Sequence, residues 1–373
     1  MKTLLSYTMI GCLTLGTVQA KTVRPEPRVQ MAILLDTSGS MNGLIEQAKG
    51  QVWKFVNEFA RAEKNGLKPR FELALYEYGN DGLSRKKGFI RQVLGLTTDL
   101  DQASEELFGL RTNGGSEYCG QVIQTAVEEL DWSDSNADYK VIFIAGNEPF
   151  TQGPVAFQKA CRAAIAKGIM VNTIFCGALA VGEQTKWAAG AVLADGRYMN
   201  IDHNAKVAHV AAPQDREIAE LGVKLNATYI AYGKKGRGGR LRQEEQDTNA
   251  SHLSGIGSAV ARAVSKSSVH YRNATWDLVD ACQGGQMDLD AVEAEQLPAE
   301  MREMTSKERR VHVAQMQGNR VQIQKRIAEL NASRRVYVAA EKKKLTEVGA
   351  NTLAEAVVET VRTQAEAKAF SFR

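Results

Sequence analysis

Asp36, Ser38 and Ser40 stand at alternate positions in the stretch MAILLDTSGSMNGL, residues 31–44. One carboxylate and two hydroxyls in so short a turn are all hard oxygens, the donor type that suits Mg²⁺, Mn²⁺ or Ca²⁺. Asp and Ser also cap helices, because their oxygens accept the free N–H groups of a first helical turn. The triplet alone therefore fits either role. Two later stretches add compatible donors. LRTNGGSEYCG brings the Ser116 hydroxyl to the start of another expected helix, and IFIAGNEPF brings Asn147 to the end of an apolar run, where it can hold a metal-bound water.

The elements that must position these residues follow from periodicity. Between Val29 and Gly233, apolar strand patterns and amphipathic helix patterns take turns, the order that yields a mainly parallel sheet with helices on both faces. VQMAILLD reads as a fully buried strand. The next segment sets Ala48, Val52, Phe55 and Phe59 at helical spacing, and FELALYEYG alternates as a strand. FIRQVLGL, YKVIFIAG, IMVNTIFCG and YMNI read as further strands. DLDQASEELFGL, SEYCGQVIQTAVEEL, VAFQKACRAAIAKG, EQTKWAAGAVLA and DREIAELGVKL read as helices. In such an open sheet, ligands bind outside the carboxyl ends of the strands, where Asp36 would sit.

The set resembles the metal-ion-dependent adhesion site of the von Willebrand factor type A domain. That site combines Asp-x-Ser-x-Ser, a later Thr after paired glycines, and an Asp after a central strand. Asp36, Ser38 and Ser40 match the first motif, Ser116 stands in place of the Thr, and Asn147 falls where the family usually has Asp. The resemblance covers roughly residues 29–233. It implies an α/β, doubly wound, mainly parallel sheet and a Mg²⁺ or Mn²⁺ ion, with Ca²⁺ a further candidate, held by Asp36, Ser38, Ser40 and Ser116 with Asn147 in support. In this family a partner's carboxylate fills an open coordination position, which implies protein binding in place of turnover. Ser for Thr keeps the oxygen. Asn for Asp removes a negative charge and should weaken or alter metal preference, with Glu148 next door as a partial substitute.

Enzyme readings fit less well. A phosphoryl-transfer hydrolase of the haloacid dehalogenase type needs a second carboxylate two residues after its Asp, and here that residue is Ser38. Neither Ser38 nor Ser40 has the Gly-x-Ser-x-Gly frame of a serine hydrolase elbow. Cys119, at a helix start, is a candidate nucleophile, but a structural disulfide with Cys176, also near the carboxyl rim, is the favoured expectation. The chain has no C-x-x-C pair and its five His are scattered, which argues against zinc. His203 and His209 read as surface or packing residues.

A net charge of +4 with 24% charged residues gives no electrostatic footprint for nucleic acid. Residues 1–20 carry Lys2, a short apolar run and Val18-Gln19-Ala20, the pattern of a cleaved secretory leader. The expectation is an exported protein, periplasmic or extracellular, with no integral membrane segment after cleavage. A lipoprotein anchor at Cys12 is the less favoured variant. The domain layout expected is a leader at 1–20, the sheet domain at 21–233, a Gly/Arg-rich mobile linker at 234–250 and a helical region at 251–373. From about Thr305 to Leu345, Met316, Ile323, Ile327, Leu330 and Tyr337 recur at helical steps, so the expectation is a long helix, with a helical hairpin formed with TLAEAVVETVRTQAEA as the alternative. Arg320 and Arg334 interrupt its apolar slots and argue against a strong dimeric coiled coil. The wider layout also resembles a group of bacterial exported proteins in which such a domain carries a helical tail. The chief alternative function is a structural scaffold with an inactive metal site, whose helical tail binds the partner.

Overall fold

The structure is a computed structural model that describes residues 26–202, 204, 209–254, 256–285, 287–344 and 353–372. The expected leader with Cys12, and His203, lie outside the described residues.

The first buried strand is β1 (Arg28–Asp36). Its side chains alternate between two cores: Met31, Ile33 and Leu35 belong to one, Ala32 and Leu34 to the other. A strand buried on both faces must read as a continuous apolar run, which explains VQMAILLD. The chain then forms α1 (Asn42–Phe59), the short β2 (Ala62–Glu63), β3 (Arg70–Tyr78) and β4 (Ile90–Thr97). Next come α2 (Leu100–Gly109), α3 (Cys119–Glu129), β5 (Tyr139–Gly146), α4 (Phe157–Ala166) and β6 (Met170–Cys176). The expected single helix after β6 is broken into α5 (Leu179–Gln184) and α6 (Trp187–Leu193), because Lys186 between them takes a left-handed backbone at φ 77°. β7 (Tyr198–Ile201) ends the sheet.

Strand order is β4-β3-β1-β5-β6-β7, with β4 antiparallel to β3 and every other pairing parallel. The chain leaves β1 toward β3 on one side and later returns to pair β5 on the other. The carboxyl end of β1 is thus the point at which the winding reverses, where an open α/β sheet leaves a crevice. Ala48, Val52, Phe55 and Phe59 of α1 are all buried on one face of this sheet, and α3 and α4 cover the other.

The remaining helices are α7 (Asp215–Asn226), α8 (Gly233–Ser254), α9 (Ile256–Lys266), α10 (Leu278–Gln283), α11 (Ala299–Arg302), α12 (Ser306–Lys344) and α13 (Leu353–Ala367), followed by β8 (Ser371–Phe372). The segment expected as a mobile linker is helical: it is α8, and two of its glycines, Gly236 and Gly239, are sites of close approach. A Cβ at Gly239 would stand 2.3 Å from Cγ of the Trp276 ring, and one at Gly236 would stand 2.9 Å from the Ala231 backbone. Its polar side chains are anchored as well. Gln246 accepts from the Ser104 hydroxyl at 2.7 Å, and Asp247 pairs with Arg262 at 2.8 Å and Lys266 at 2.6 Å. Arg262 also pairs with Asp101 of α2 and lies 4.3 Å from the Trp53 ring of α1, so this buried cluster ties the helical region to the sheet domain.

Residue 233 is therefore not a packing boundary. Ile218 of α7 shares a core with Val260 of α9 and Ile327 and Leu330 of α12, and His209 bonds Asp215 at 2.8 Å as part of the same structure. The long helix forms as expected over Ser306–Lys344. The arginines in its apolar slots meet acids: Arg320 pairs with Asp277 and Asp280 at 2.8 and 2.7 Å, and Arg334 with Asp215 at 2.5 Å. The last helix, α13, packs on α1 and β7, and β8 pairs antiparallel with β2. The tail thus folds back onto the sheet domain through its final element.

Candidate metal centre

Asp36 ends β1 fully buried, and its Oδ1 accepts the Ser38 N–H at 2.7 Å. This bond closes a tight turn that leads the chain into α1. The turn is held from outside too: Thr37 N–H donates to Tyr78 O at 2.8 Å, and Gly39 N–H donates to Gly114 O at 2.9 Å. Gly114 has φ +80°, the left-handed region that the paired glycines supply without strain. The Ser38 and Ser40 hydroxyls lie 3.2 Å apart, and Asn147, just past β5, donates from Nδ2 to Ser40 Oγ at 3.1 Å. Asp36, Ser38, Ser40 and Asn147 form one continuous polar chain, buried at Asp36 and exposed at Ser40.

Ser116 is placed beside this chain through its backbone, which bridges Gly79 at the end of β3. Among the described residues its hydroxyl bonds none of the four. The next residue, Glu117, reaches inward. Its carboxyl lies against Asp36 and beside Ser38, it is 2% exposed, and its N–H donates to Gln152 Oε1. Sequence reasoning passed over Glu117, which follows Ser116 directly. Glu148 is close enough for its charge to act on both Asp36 and Glu117, while its backbone carbonyl accepts from Trp187 Nε1 at 2.8 Å.

Two glycines make room for the acids. A Cβ at Gly79 would stand 2.8 Å from both Asp36 Oδ1 and Glu117 Cγ, and one at Gly146 would stand 3.1 Å from Asp36 Oδ2 and 2.5 Å from Tyr78 Oη. Burial raises the Asp36 carboxyl above its ordinary range despite the Ser38 hydrogen bond. Burial, then the neighbouring Asp36, pushes Glu117 up to about 9. Two carboxyls in contact away from water cannot both ionise without a counter-charge.

Asp36 Oδ2, Glu117 Oε2 and Asn147 Oδ1 are buried and have no hydrogen-bond donor. Buried polar oxygens are normally satisfied, and three orphaned ones around a pair of serine hydroxyls fit a hard divalent cation. Among the described residues no three His, Cys, Asp or Glu stand together as ligands, so an ion here would draw on hydroxyl and amide oxygens as well as carboxylates.

The expected Cys119–Cys176 disulfide is absent: both are free, as are Cys161 and Cys282. Cys119 packs in the core on the α3 side and Cys176 in the core on the α1 side, so the sheet stands between them. Cys119 is also no exposed nucleophile. Burial raises its thiol well above the ordinary value, and its Sγ lies 3.8 Å from Tyr78 Oη, which itself donates to Ala145 O at 3.0 Å.

No protein-family model and no curated protein matches the chain. Solved structures similar to it include proximal thread matrix protein 1 from the mussel byssus, with a zinc-occupied MIDAS motif, at 12% identity and TM-score 0.37. That match covers 47% of this chain, which spans 42% of the mussel protein's length. The conserved hypothetical protein BatB from Bacteroides thetaiotaomicron is similar at 17% identity and TM-score 0.36, over 47% of this chain and 90% of its own. The SpRpn10 VWA domain is similar at 16% identity and TM-score 0.35, over 49% of this chain and all of its own.

Proposed function

We propose that the sheet domain is a von Willebrand factor type A-like module of an exported protein, which binds a protein partner through a divalent cation. Asp36, Ser38 and Ser40 would hold the ion, with Ser116 and Asn147 in support. Mg²⁺ or Mn²⁺ suits the hard-oxygen set best, and Ca²⁺ suits its chemistry too. When bound, the ion would supply a positive charge that an acidic side chain of the partner can meet.

The observation that carries this reading is the orphaned, buried Asp36 Oδ2 at the inner end of a polar chain that opens to solvent at Ser40. The turn fixes Asp36 and the two serines, so little ordering remains to oppose ion capture. The outer, exposed end gives a partner access. Localisation in the periplasm or outside the cell rests on the leader pattern in residues 1–20. No helix among the described residues is long and apolar enough to cross a membrane.

The test is thermal unfolding of the mature chain in EDTA and then in Mg²⁺, Mn²⁺ or Ca²⁺, beside Asp36→Ala. An ion at a hundred times its dissociation constant stabilises by about 2.7 kcal/mol, a rise that Asp36→Ala should abolish. If no ion raises the midpoint, binding passes to the alternative, a scaffold whose helical tail meets the partner.

A further inference from the structure

We infer that Glu117 is a direct ligand of the cation, the second carboxylate of a site whose first is Asp36. This inference rests on the metal-binding reading above and deepens it by assigning a residue outside the Asp-x-Ser-x-Ser pattern.

Four observations converge. Glu117 is 2% exposed, and its Oε2 has no donor, so a residue type that is normally solvated is held inside with an unmet oxygen. Its carboxyl touches Asp36, whose Oδ2 is likewise unmet, so the two orphaned oxygens belong to one locus. Gly79 supplies the space: its missing side chain would collide with both acids at 2.8 Å. Finally, the backbone holds Glu117 in place, through the Ser116 bridge to Gly79 on one side and the Glu117 N–H bond to Gln152 on the other.

The assignment also accounts for charge. Asn147 contributes no negative charge, and Gly146 admits no side chain because a Cβ would strike Tyr78 Oη at 2.5 Å. Asp36 alone would leave a divalent ion with one anionic ligand from the protein. Glu117 restores the second. A two-carboxylate site also favours a dication over a monocation, since the charges then balance.

The test titrates Mn²⁺ alone into the full mature chain by calorimetry and by the loss of the free-ion electron spin resonance signal. Wild type is compared with Asp36→Ala, Glu117→Gln and Glu117→Asp, each with its metal-free unfolding midpoint. Glu117→Gln should weaken Mn²⁺ binding at least tenfold without lowering the metal-free midpoint, because the amide fills the same space and can donate to the Asp36 carboxylate. Glu117→Asp, which keeps the charge but withdraws it by one methylene, should fall between that variant and wild type. Wild-type affinity in Glu117→Gln, together with loss of binding in Asp36→Ala, overturns the assignment and leaves the metal reading standing. Should Glu117→Gln fail to fold, wild-type affinity in Glu117→Asp overturns it. No Mn²⁺ binding to wild type overturns both.

Discussion

Glu117 meets Asp36 carboxyl to carboxyl at the end of β1, behind the missing side chain of Gly79. In the metal-free protein the burial of Glu117, reinforced by this contact, links stability to pH. Glu117 titrates at about 9 when folded, against an ordinary 4.5, so the stability tied to its bound proton is complete below about 4.5 and is lost as pH rises through 9. The metal-free urea midpoint should fall across this window, and Glu117→Gln should flatten the slope. An unchanged slope in the variant would mean that Glu117 is not the group responsible.

His270 acts on the acid side. Its Nε2 lies 3.1 Å from Phe59 O, and burial holds the imidazole down at about 4 against an ordinary 6.5. The sign is opposite to that of Glu117: stability present above 6.5 is lost as pH falls through 4, by roughly 3 kcal/mol at most. His270→Gln keeps a donor for Phe59 and should reduce this acid loss. Equal acid sensitivity in the variant would count against it.

Much of the sheet domain was legible because a parallel strand buried on both faces reads mostly as an apolar run, and β1 and most of β5 are written so, while β6 carries the buried Asn172 and Thr173 in its centre. The polar chain of Asp36, Ser38, Ser40 and Asn147 was legible for a related reason: its members stand at strand ends, where position along the chain fixes position in space. Glu117 was not, because its inward course depends on the Ser116 bridge to Gly79, a contact between residues far apart in sequence. The helix α8 was hidden by composition. Gly239 and Gly236 look like hinges until Trp276 and Ala231 are seen to fill the space that their side chains would take.

Arg320 should be among the costliest residues to remove. It is 3% exposed, pairs with Asp277 and Asp280, donates to Thr228 O at 2.7 Å, and stacks its guanidinium 3.9 Å from the Tyr229 ring centre. Arg320→Met leaves two buried carboxyls without their cation, at a cost of about 3–5 kcal/mol. Arg320→Lys should recover only part, because a single ammonium cannot reproduce the fork. Chemical denaturation of both variants, with Asp277→Asn added to Arg320→Met as a partial rescue, checks this. A loss below about 1 kcal/mol, the scale of an exposed pair, would contradict it.

Gly146→Ala tests the crowding beneath the site. The new methyl would stand 2.5 Å from Tyr78 Oη and 3.1 Å from Asp36 Oδ2, so either the Tyr78 bond to Ala145 breaks or β5 shifts. Overpacking of this kind costs about 1–3 kcal/mol. The unfolding midpoint should drop with and without divalent ions. A neutral result would show that β5 has slack there.

The position of α13 bears on how the molecule is made. Leu353, Val357 and Val361 complete the core whose other wall is α1, and β8 closes on β2, joining Ala62 to Phe372. Until α13 docks, the part of that sheet face which α1 does not cover stays open to water. Contacts between such distant segments form late and slow folding. Docking of α13 is therefore expected to be a late step, completing a face that α1 covers only in part.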